Sequence, residues 1–270
     1  MGLIFKDVGV IDLDGSVTLQ ENLLLKFKPK IISLPPESNL KIVTSLENYQ
    51  AVCQKLSNTV YGVNFCGLGE FHHLAYYLIK RVPIQEVAVV VFDNHPDLLP
   101  TFPGYISCGS WLLNVAELKK VVQIIVVGVT EISGLKSAPP TSVREKIILF
   151  LPQTQKKKIK KATIPVRYYD ENNLWTEIHK SLKVKDIYIS IDKDVLHPLD
   201  AVTTWEQGEL RLNQLLSALA MLKEKYKIWG IDICGEYGSE LLKIQRIGER
   251  WATSQNERAN LEILEILLGE

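Results

Sequence analysis

The six consecutive apolar residues Val87–Phe92 constrain the fold of this chain more than any other stretch. Four of them are valine, and an uninterrupted apolar run of this length is typical of a parallel β-strand covered on both faces. Short runs of this kind alternate with helical patterns from about residue 40 onward, which indicates βαβ units. The sequence therefore predicts an α/β fold, a three-layer α/β/α sandwich on a mainly parallel sheet.

The boundaries of the individual elements follow from the same patterns. Before residue 40, the dipeptide Asp14-Gly15 is a hairpin-turn signal between two β-rich runs, residues 8–13 and 17–25. We therefore expect short antiparallel N-terminal strands, a β-hairpin element over about residues 1–35, within a single domain of residues 1–270. The later predicted strands are residues 40–44, 61–66, 87–92, 121–127, 146–150, 187–191 and 228–233, and the predicted helices are residues 71–81, 110–119, 173–182, 211–226 and 256–268.

The charge balance argues against nucleic acid and membrane surfaces as partners. The chain has 31 basic and 31 acidic residues, and the basic run at residues 156–161 is typical of a solvated surface segment. Its four cysteines lie far apart and form no Cys-x-x-Cys pair, as in a cytoplasmic protein with reduced thiols. No signal peptide is evident, and the apolar runs are too short to span a membrane. We predict a cytoplasmic protein that acts on a small molecule.

Polar residues follow two of the predicted strands, where open α/β sheets place their active sites. Asp93, His95 and Asp97 come directly after the apolar run, and their alternation puts them on one side of an extended segment. Asp192 and Asp194 follow the strand at residues 187–191 in the same way. Two carboxylates buried together repel each other unless a cation compensates, and a divalent metal is the simplest one. The alternative for the second pair is a role as N-caps and turn formers.

A glycine-rich turn follows the strand at residues 61–66 and opens a helix that carries His72 and His73. Neighbouring residues differ by about 100° around a helix, so only one of the two histidines faces a site above the sheet. The alternative for a histidine here is capping or core packing. With this turn, three strand ends carry metal-binding residue types.

The combined set indicates the kind of metal. Carboxylates with imidazole and no thiolate suit manganese better than structural zinc. Four aspartates and two histidines exceed the needs of one tetrahedral ion. Two ions that share carboxylates, about 3.5–4 Å apart, fit the set better.

The order and spacing of these three elements resemble the metal motifs of the arginase/agmatinase (ureohydrolase) family over about residues 60–240. The motifs are Asp93-x-His95-x-Asp97, Ser190-Ile191-Asp192-x-Asp194-x-x-His197-Pro198 and the glycine-rich turn before His72. The resemblance implies the three-layer sandwich and a binuclear manganese site with six ligands: His72, Asp93, His95, Asp97, Asp192 and Asp194. It also allows a homo-oligomer.

The chain departs from the family pattern where the substrate would bind. Gly-Glu-Phe-His-His replaces the usual Gly-Gly-Asp-His-Ser, which leaves the choice between His72 and His73 open, and residues 105–111 offer no proton-shuttling histidine. Cys108 in that segment either lines the site or is a buried structural thiol. Glu236 falls one residue later than the family's substrate-orienting glutamate, so it is either a guanidinium partner or a salt-bridged residue.

The leading hypothesis is a binuclear-metal-dependent hydrolase of linear C–N bonds, with a guanidino or amide substrate and a metal-bridging hydroxide as nucleophile. Asp97 would hold the hydroxide and Glu236 would orient the substrate, while Cys108, Trp205 and Tyr105 would line the pocket. One alternative is a single-zinc amidohydrolase of the deacetylase type. The other is a non-catalytic metal-binding or regulatory protein on the same fold.

Overall fold

A ten-stranded sheet forms the centre of the computed structural model, which describes residues 1–34, 39–56, 62–131, 139–157, 163–238 and 246–269. All neighbouring strands of this sheet run parallel, in the order β10-β9-β8-β6-β11-β12-β5-β2-β3, with β1 beside β12. A separate antiparallel pair joins β4 to β7. The strands are β1 (Gly2–Leu3), β2 (Val8–Asp12), β3 (Lys30–Ser33), β4 (Val43–Ser45), β5 (Val63–Phe65), β6 (Val87–Phe92), β7 (Tyr105–Ser107), β8 (Val121–Val127), β9 (Ile147–Pro152), β10 (Val166–Tyr169), β11 (Asp186–Asp192) and β12 (Lys227–Cys234).

Helices cover both faces of the sheet. Alternate residues of β6 show this directly, since Ala88, Val90 and Phe92 join one hydrophobic core while Val87 and its alternate neighbours join the other. Helices α1, α6, α7 and α8 pack on the first core, and α2, α3, α4 and α5 pack on the second. The predicted three-layer α/β/α architecture is confirmed. The helices are α1 (Glu21–Phe27), α2 (Leu46–Lys55), α3 (Leu74–Arg81), α4 (Trp111–Glu117), α5 (Thr141–Arg144), α6 (Leu174–Ser181), α7 (Leu212–Lys225) and α8 (Arg246–Leu268).

Most of the predicted elements after residue 40 are present. β6 and β8 begin and end at the predicted residues, and the other predicted strands and helices overlap observed ones. The predicted strand at 61–66 begins at a residue that lies outside the described part, as do residues 158–161 of the basic run. The lysines at 156 and 157 are exposed at the end of a short 3₁₀ helix, Gln153–Lys157. Among the described helices, none has the length and apolar character needed to cross a membrane.

The predicted N-terminal hairpin is wrong. Asp14-Gly15 does form a turn, in which the Gly15 N–H donates to the Asp12 carboxylate at 3.0 Å. The chain then enters α1 instead of a returning strand, because a helix lets Leu23 pack in the core. β3 consequently pairs parallel to β2, as a βαβ connection requires.

The register of the parallel strands brings four carboxyl ends to one edge of the sheet. Phe92 at the end of β6 pairs with Ile191, and the next residue of β11, Asp192, pairs with Cys234 at the end of β12. Ile233 of β12 pairs with Phe65 of β5. The segments that follow these strands therefore lie side by side.

Candidate metal centre

The loop after β6 is folded so that its polar side chains face the neighbouring strand ends. The His95 N–H donates to Asp93 Oδ1 at 2.6 Å, and the Asn94 N–H donates to Asp194 Oδ1 at 3.0 Å. Asp97 has a φ of 45°, in the left-handed region that non-glycine residues seldom adopt. Such strained positions persist where the surrounding structure holds them, and here the strain aims a carboxylate at the cluster.

One group of candidate ligands surrounds His72. Its Nδ1 lies 3.3 Å from Asp93 Oδ2, 3.2 Å from Asp97 Oδ2 and 3.6 Å from Asp192 Oδ2. All four side chains are almost completely buried. Three of them, His72, Asp93 and Asp97, offer ligand atoms that lie within 4.8 Å of one another.

A second group lies on the other side of Asp93. His95 Nδ1 is 2.8 Å from Asp194 Oδ2 and 3.6 Å from Asp93 Oδ1, and ligand atoms of these three residues again lie within 4.8 Å of one another. Asp93 thus presents one oxygen to each group. The structure brings all six predicted ligands together.

The contacts of His72 and His73 distinguish the two histidines. His72 Nε2 lies 2.8 Å from Ser190 Oγ, which itself donates to Asp232 Oδ2 at 2.7 Å. Because this hydroxyl hydrogen is used by Asp232, Nε2 is protonated, which leaves Nδ1 as the nitrogen that can bind a metal ion. His73 instead packs beside Tyr49, with ring centroids 5.8 Å apart, and burial lowers its pKa to about 3.

The donor set fits a cation. His72 Nδ1 and Asp93 Oδ2 are buried without a hydrogen-bond partner, which is costly unless something else satisfies them. Burial and the neighbouring Asp93 charge raise the pKa of Asp97 to about 7, and burial with Asp192 and Asp93 raises the pKa of Asp194. Burial alone would lower the pKa of His95, yet Asp194 and Asp93 raise it to about 12. The cluster has too much negative charge for its own cations, a deficit that divalent ions offset.

Two neighbours of the ligands were not identified from the sequence. Trp111 Nε1 donates to Asp97 Oδ2 at 2.5 Å, and the Ser190–Asp232 pair holds His72 as described above. Burial raises the pKa of Asp232 to about 6. An aspartate inside the apolar strand β12 was the sequence signal that could have revealed it.

A cavity of about 220 Å³ opens above the cluster. Trp205 and Cys108 line it, as predicted, and the Trp205 ring centroid lies 6.2 Å from that of His95. Burial raises the pKa of the Cys108 thiol, so this side chain is a neutral wall residue. Tyr105 on β7 has an exposed side chain and is not among the described lining residues.

Glu236 does not line the cavity in the described part of the chain, although we predicted a substrate contact for it. Its Oε1 accepts hydrogen bonds from the Lys193 ammonium and from Asn260 Nδ2, and its Oε2 accepts one from Gln20 Nε2 at 3.0 Å. Gly235, with a φ of 82°, turns the chain just before it. In this structure Glu236 is a buried, salt-bridged residue.

The sequence model of the Arginase family matches residues 5–236, which is most of the chain. The chain belongs to the arginase family. The six clustered side chains belong to the sequence motifs that resemble the metal motifs of this family.

Individual proteins agree with the family assignment. The chain is 34% identical over 210 residues to an uncharacterized protein of Thermotoga maritima, a match that covers 77% of this chain and 69% of the relative. Its fold is similar to that of proclavaminate amidino hydrolase from Streptomyces clavuligerus, with 17% identity, a TM-score of 0.61 and coverage of 99% and 92% of the two chains. Arginase from Bacillus cereus gives 19% identity, a TM-score of 0.59 and 97% coverage of each chain. At these identities the two structures show the fold alone, which is arginase-like.

Proposed function

We propose that the protein is a metal-dependent hydrolase of guanidino or amidino C–N bonds. The observation that carries the proposal is the position of Asp93, which faces one ligand group through Oδ2 and the other through Oδ1. A carboxylate with this arrangement is suited to bridge two divalent ions. The carboxylate and imidazole donors favour manganese.

The six side chains would hold the ions, and each has support from its neighbours. When bound, such ions activate water as a nucleophile near neutral pH and polarise the atom under attack. Ser190 and Asp232 fix the ring of His72 so that Nδ1 would face a bound ion. Trp111 holds one oxygen of Asp97, which also lines the cavity and is therefore placed to accept a hydrogen bond from the nucleophile.

Names of proteins with similar folds support the reaction class. One neighbour is an amidino hydrolase and another is an arginase. Both names describe hydrolysis at a carbon bonded to nitrogen. We extend this reaction class to the present chain because it shares their fold and also has a ligand cluster beneath a cavity.

Release of urea or ammonia from a panel of guanidino and amidino compounds, with manganese added, tests the proposal. We expect turnover by the wild-type protein and a loss of at least about a hundredfold in His95→Asn, because His95 is both a ligand and a cavity residue. His179→Asn is the matched control, since His179 stacks on Trp175 with ring centroids 5.2 Å apart, outside the described cavity lining. Equal loss in both variants would contradict the proposed roles.

A single-zinc hydrolase of N-acyl amines is the second candidate. The group Asp93, His95 and Asp194 favours it, because an Asp/His/Asp set by itself binds one ion. Release of amine from N-acyl amines with one zinc ion per chain would support this candidate. Metal binding without turnover on either panel would favour a binding or regulatory role. Cytoplasmic location, a small-molecule partner and a homo-oligomer stay predictions.

A further inference from the structure

The walls of the cavity differ in chemistry from its floor. Above the ligand cluster the lining includes Ile42, Leu99 and Trp205, with 45%, 48% and 38% of their surfaces exposed. Among the described lining residues there is no lysine or arginine. An apolar group of a ligand would gain burial on these walls, whereas an anionic group would find no cationic side chain among the described lining residues.

Ile42 is the most informative wall residue. Its φ of 65° lies in the left-handed region, where a β-branched side chain is strained. Its N–H donates to the Glu70 carbonyl oxygen at 3.0 Å, and its own carbonyl oxygen accepts from the Cys108 N–H at 2.8 Å. Glycine or asparagine would suit this backbone better, and a half-exposed position gives isoleucine little reward from burial within the chain itself. A ligand that covers this side chain explains why isoleucine is present.

Two glycines make room for the other apolar walls. A Cβ atom at Gly109 would lie 3.3 Å from Leu99 Cδ1, and one at Gly69 would lie 2.9 Å from Asp192 Oδ2 and 3.2 Å from Trp205 Cδ1. These contacts are tighter than ordinary van der Waals contacts, so Gly109 makes room for Leu99, and Gly69 makes room for Trp205 and for the Asp192 carboxylate. The large apolar side chains of Leu99 and Trp205 therefore line the cavity and do not fill it.

The cation nearest to the ligands in sequence is not available to a substrate. Lys193, between Asp192 and Asp194, is fully buried and its ammonium is bound to Glu236 and, at 3.0 Å, to Asn260 Oδ1. A carboxylate on the substrate would therefore meet apolar walls and no lysine or arginine among the described lining residues.

We propose that the substrate is a guanidino or amidino compound whose remaining part is apolar and has no carboxylate. This proposal rests on the proposed function and specifies its substrate class. Ile42, Leu99 and Trp205 are the residues that determine this specificity.

Calorimetric binding to the manganese-loaded protein tests the substrate class without requiring turnover. The probes are γ-guanidinobutyrate and its isostere in which an isopropyl group replaces the carboxylate, so that the two differ in charge and polarity but little in shape. We expect the isostere to bind at least about tenfold more tightly. Equal affinity, tighter binding of the carboxylate, or no measurable binding of either compound would overturn the proposal.

The variant Ile42→Asn tests whether Ile42 contributes to the preference for the apolar compound. We expect the variant to lose about tenfold in affinity for the isostere while its melting temperature is unchanged or higher, because asparagine tolerates a left-handed backbone. Ile31→Asn is the matched control, since Ile31 is 44% exposed on β3 and is not among the described lining residues. An unchanged preference in Ile42→Asn would overturn the role of Ile42, and so would a shift in oligomeric state without a change in affinity.

The two proposals fail in different ways. Metal analysis and product release test the hydrolase, whereas the ratio of the two affinities tests the substrate class. Hydrolysis together with a preference for the carboxylate would leave the reaction class intact and overturn the apolar substrate.

Discussion

Two buried clusters of charged side chains meet at residues 192–194, and they differ in how the charge of their carboxylates is satisfied. Glu236 has Lys193, Asn260 and Gln20 as partners for its two oxygens. The cluster around Asp93 has four carboxylates and leaves Asp93 Oδ2 without a hydrogen-bond partner. Both clusters are almost fully buried, so exposure does not distinguish them.

The contrast separates a structural acid cluster from a functional one. A carboxylate that has its own buried cation and amide donors is complete within the chain, and its role is to hold elements together. Here Glu236 joins the turn after β11 to helix α8. A cluster that has more negative than positive charge, and that keeps buried ligand atoms without hydrogen-bond partners beneath a cavity, is complete only when it binds a cation.

The largest expected effect concerns the ion pair between Lys193 and Glu236. Lys193→Met would leave the carboxylate of Glu236 buried without a cation, and we expect a loss of about 3–5 kcal/mol in the free energy of unfolding, measured by urea denaturation. Glu236→Leu in the same chain should recover most of this loss, since the pair is then replaced by apolar groups. Lys180→Met is the control, because Lys180 forms an exposed ion pair with Glu177. A loss no larger than that of the control would show that Lys193 does not compensate the buried carboxylate of Glu236.

The second largest expected effect concerns the ligand cluster around Asp93. Asp93→Asn should weaken manganese binding by at least about a hundredfold, because Asp93 belongs to both ligand groups. The free energy of unfolding of the metal-free protein should change by less than about 1 kcal/mol, since loss of one carboxylate relieves repulsion among the others.

Titration calorimetry and urea denaturation measure these two quantities. Asp186→Asn is the control, because Asp186 lies at the opposite end of β11 and accepts a hydrogen bond from Trp229. Metal affinity that is equal in Asp93→Asn and wild type would remove Asp93 from the ligand set.

Manganese should stabilise the folded wild-type protein by supplying the missing positive charge. At a free concentration of a hundred times its dissociation constant, we expect the free energy of unfolding to rise by about 2.7 kcal/mol. Asp93→Asn should show almost none of this increase at the same concentration. Equal stabilisation of both proteins would mean that the metal binds somewhere else.

The smallest expected effect concerns the support of His72. Ser190→Ala removes the hydroxyl that lies between His72 and Asp232, and we expect manganese affinity to fall by about tenfold. Ser217→Ala is the control, because the Ser217 hydroxyl bonds only a carbonyl of its own helix, that of Asn213, at 2.7 Å. If the two variants bind manganese equally well, the hydroxyl does not orient the ligand.

The sequence predicted the sheet and the ligand cluster because both rest on short-range patterns. β6 is apolar along its full length, which marks a strand covered on both faces, and the alternation of Asp93, His95 and Asp97 places them at its end. The family resemblance then related these residues to Asp192 and Asp194 on the adjacent strand.

The errors come from contacts that no local pattern encodes. Asp14-Gly15 has the residues of a hairpin turn, yet packing of Leu23 in the core favours a helix after it. Lys193 sits between two aspartates, and its buried partners Glu236 and Asn260 lie 43 and 67 residues away. The choice between the two roles expected for Glu236, a guanidinium partner or a salt-bridged residue, could not be made without knowing those partners.

We expect two ions to complete the Asp93 cluster, and the metal stoichiometry decides whether they do. Elemental analysis of the purified manganese-loaded protein, with anomalous scattering at the manganese and zinc edges from its crystals, measures both number and position. We predict two manganese ions per chain, one on each side of Asp93. One zinc ion per chain at Asp93, His95 and Asp194, or no ion at the cluster, would contradict the account.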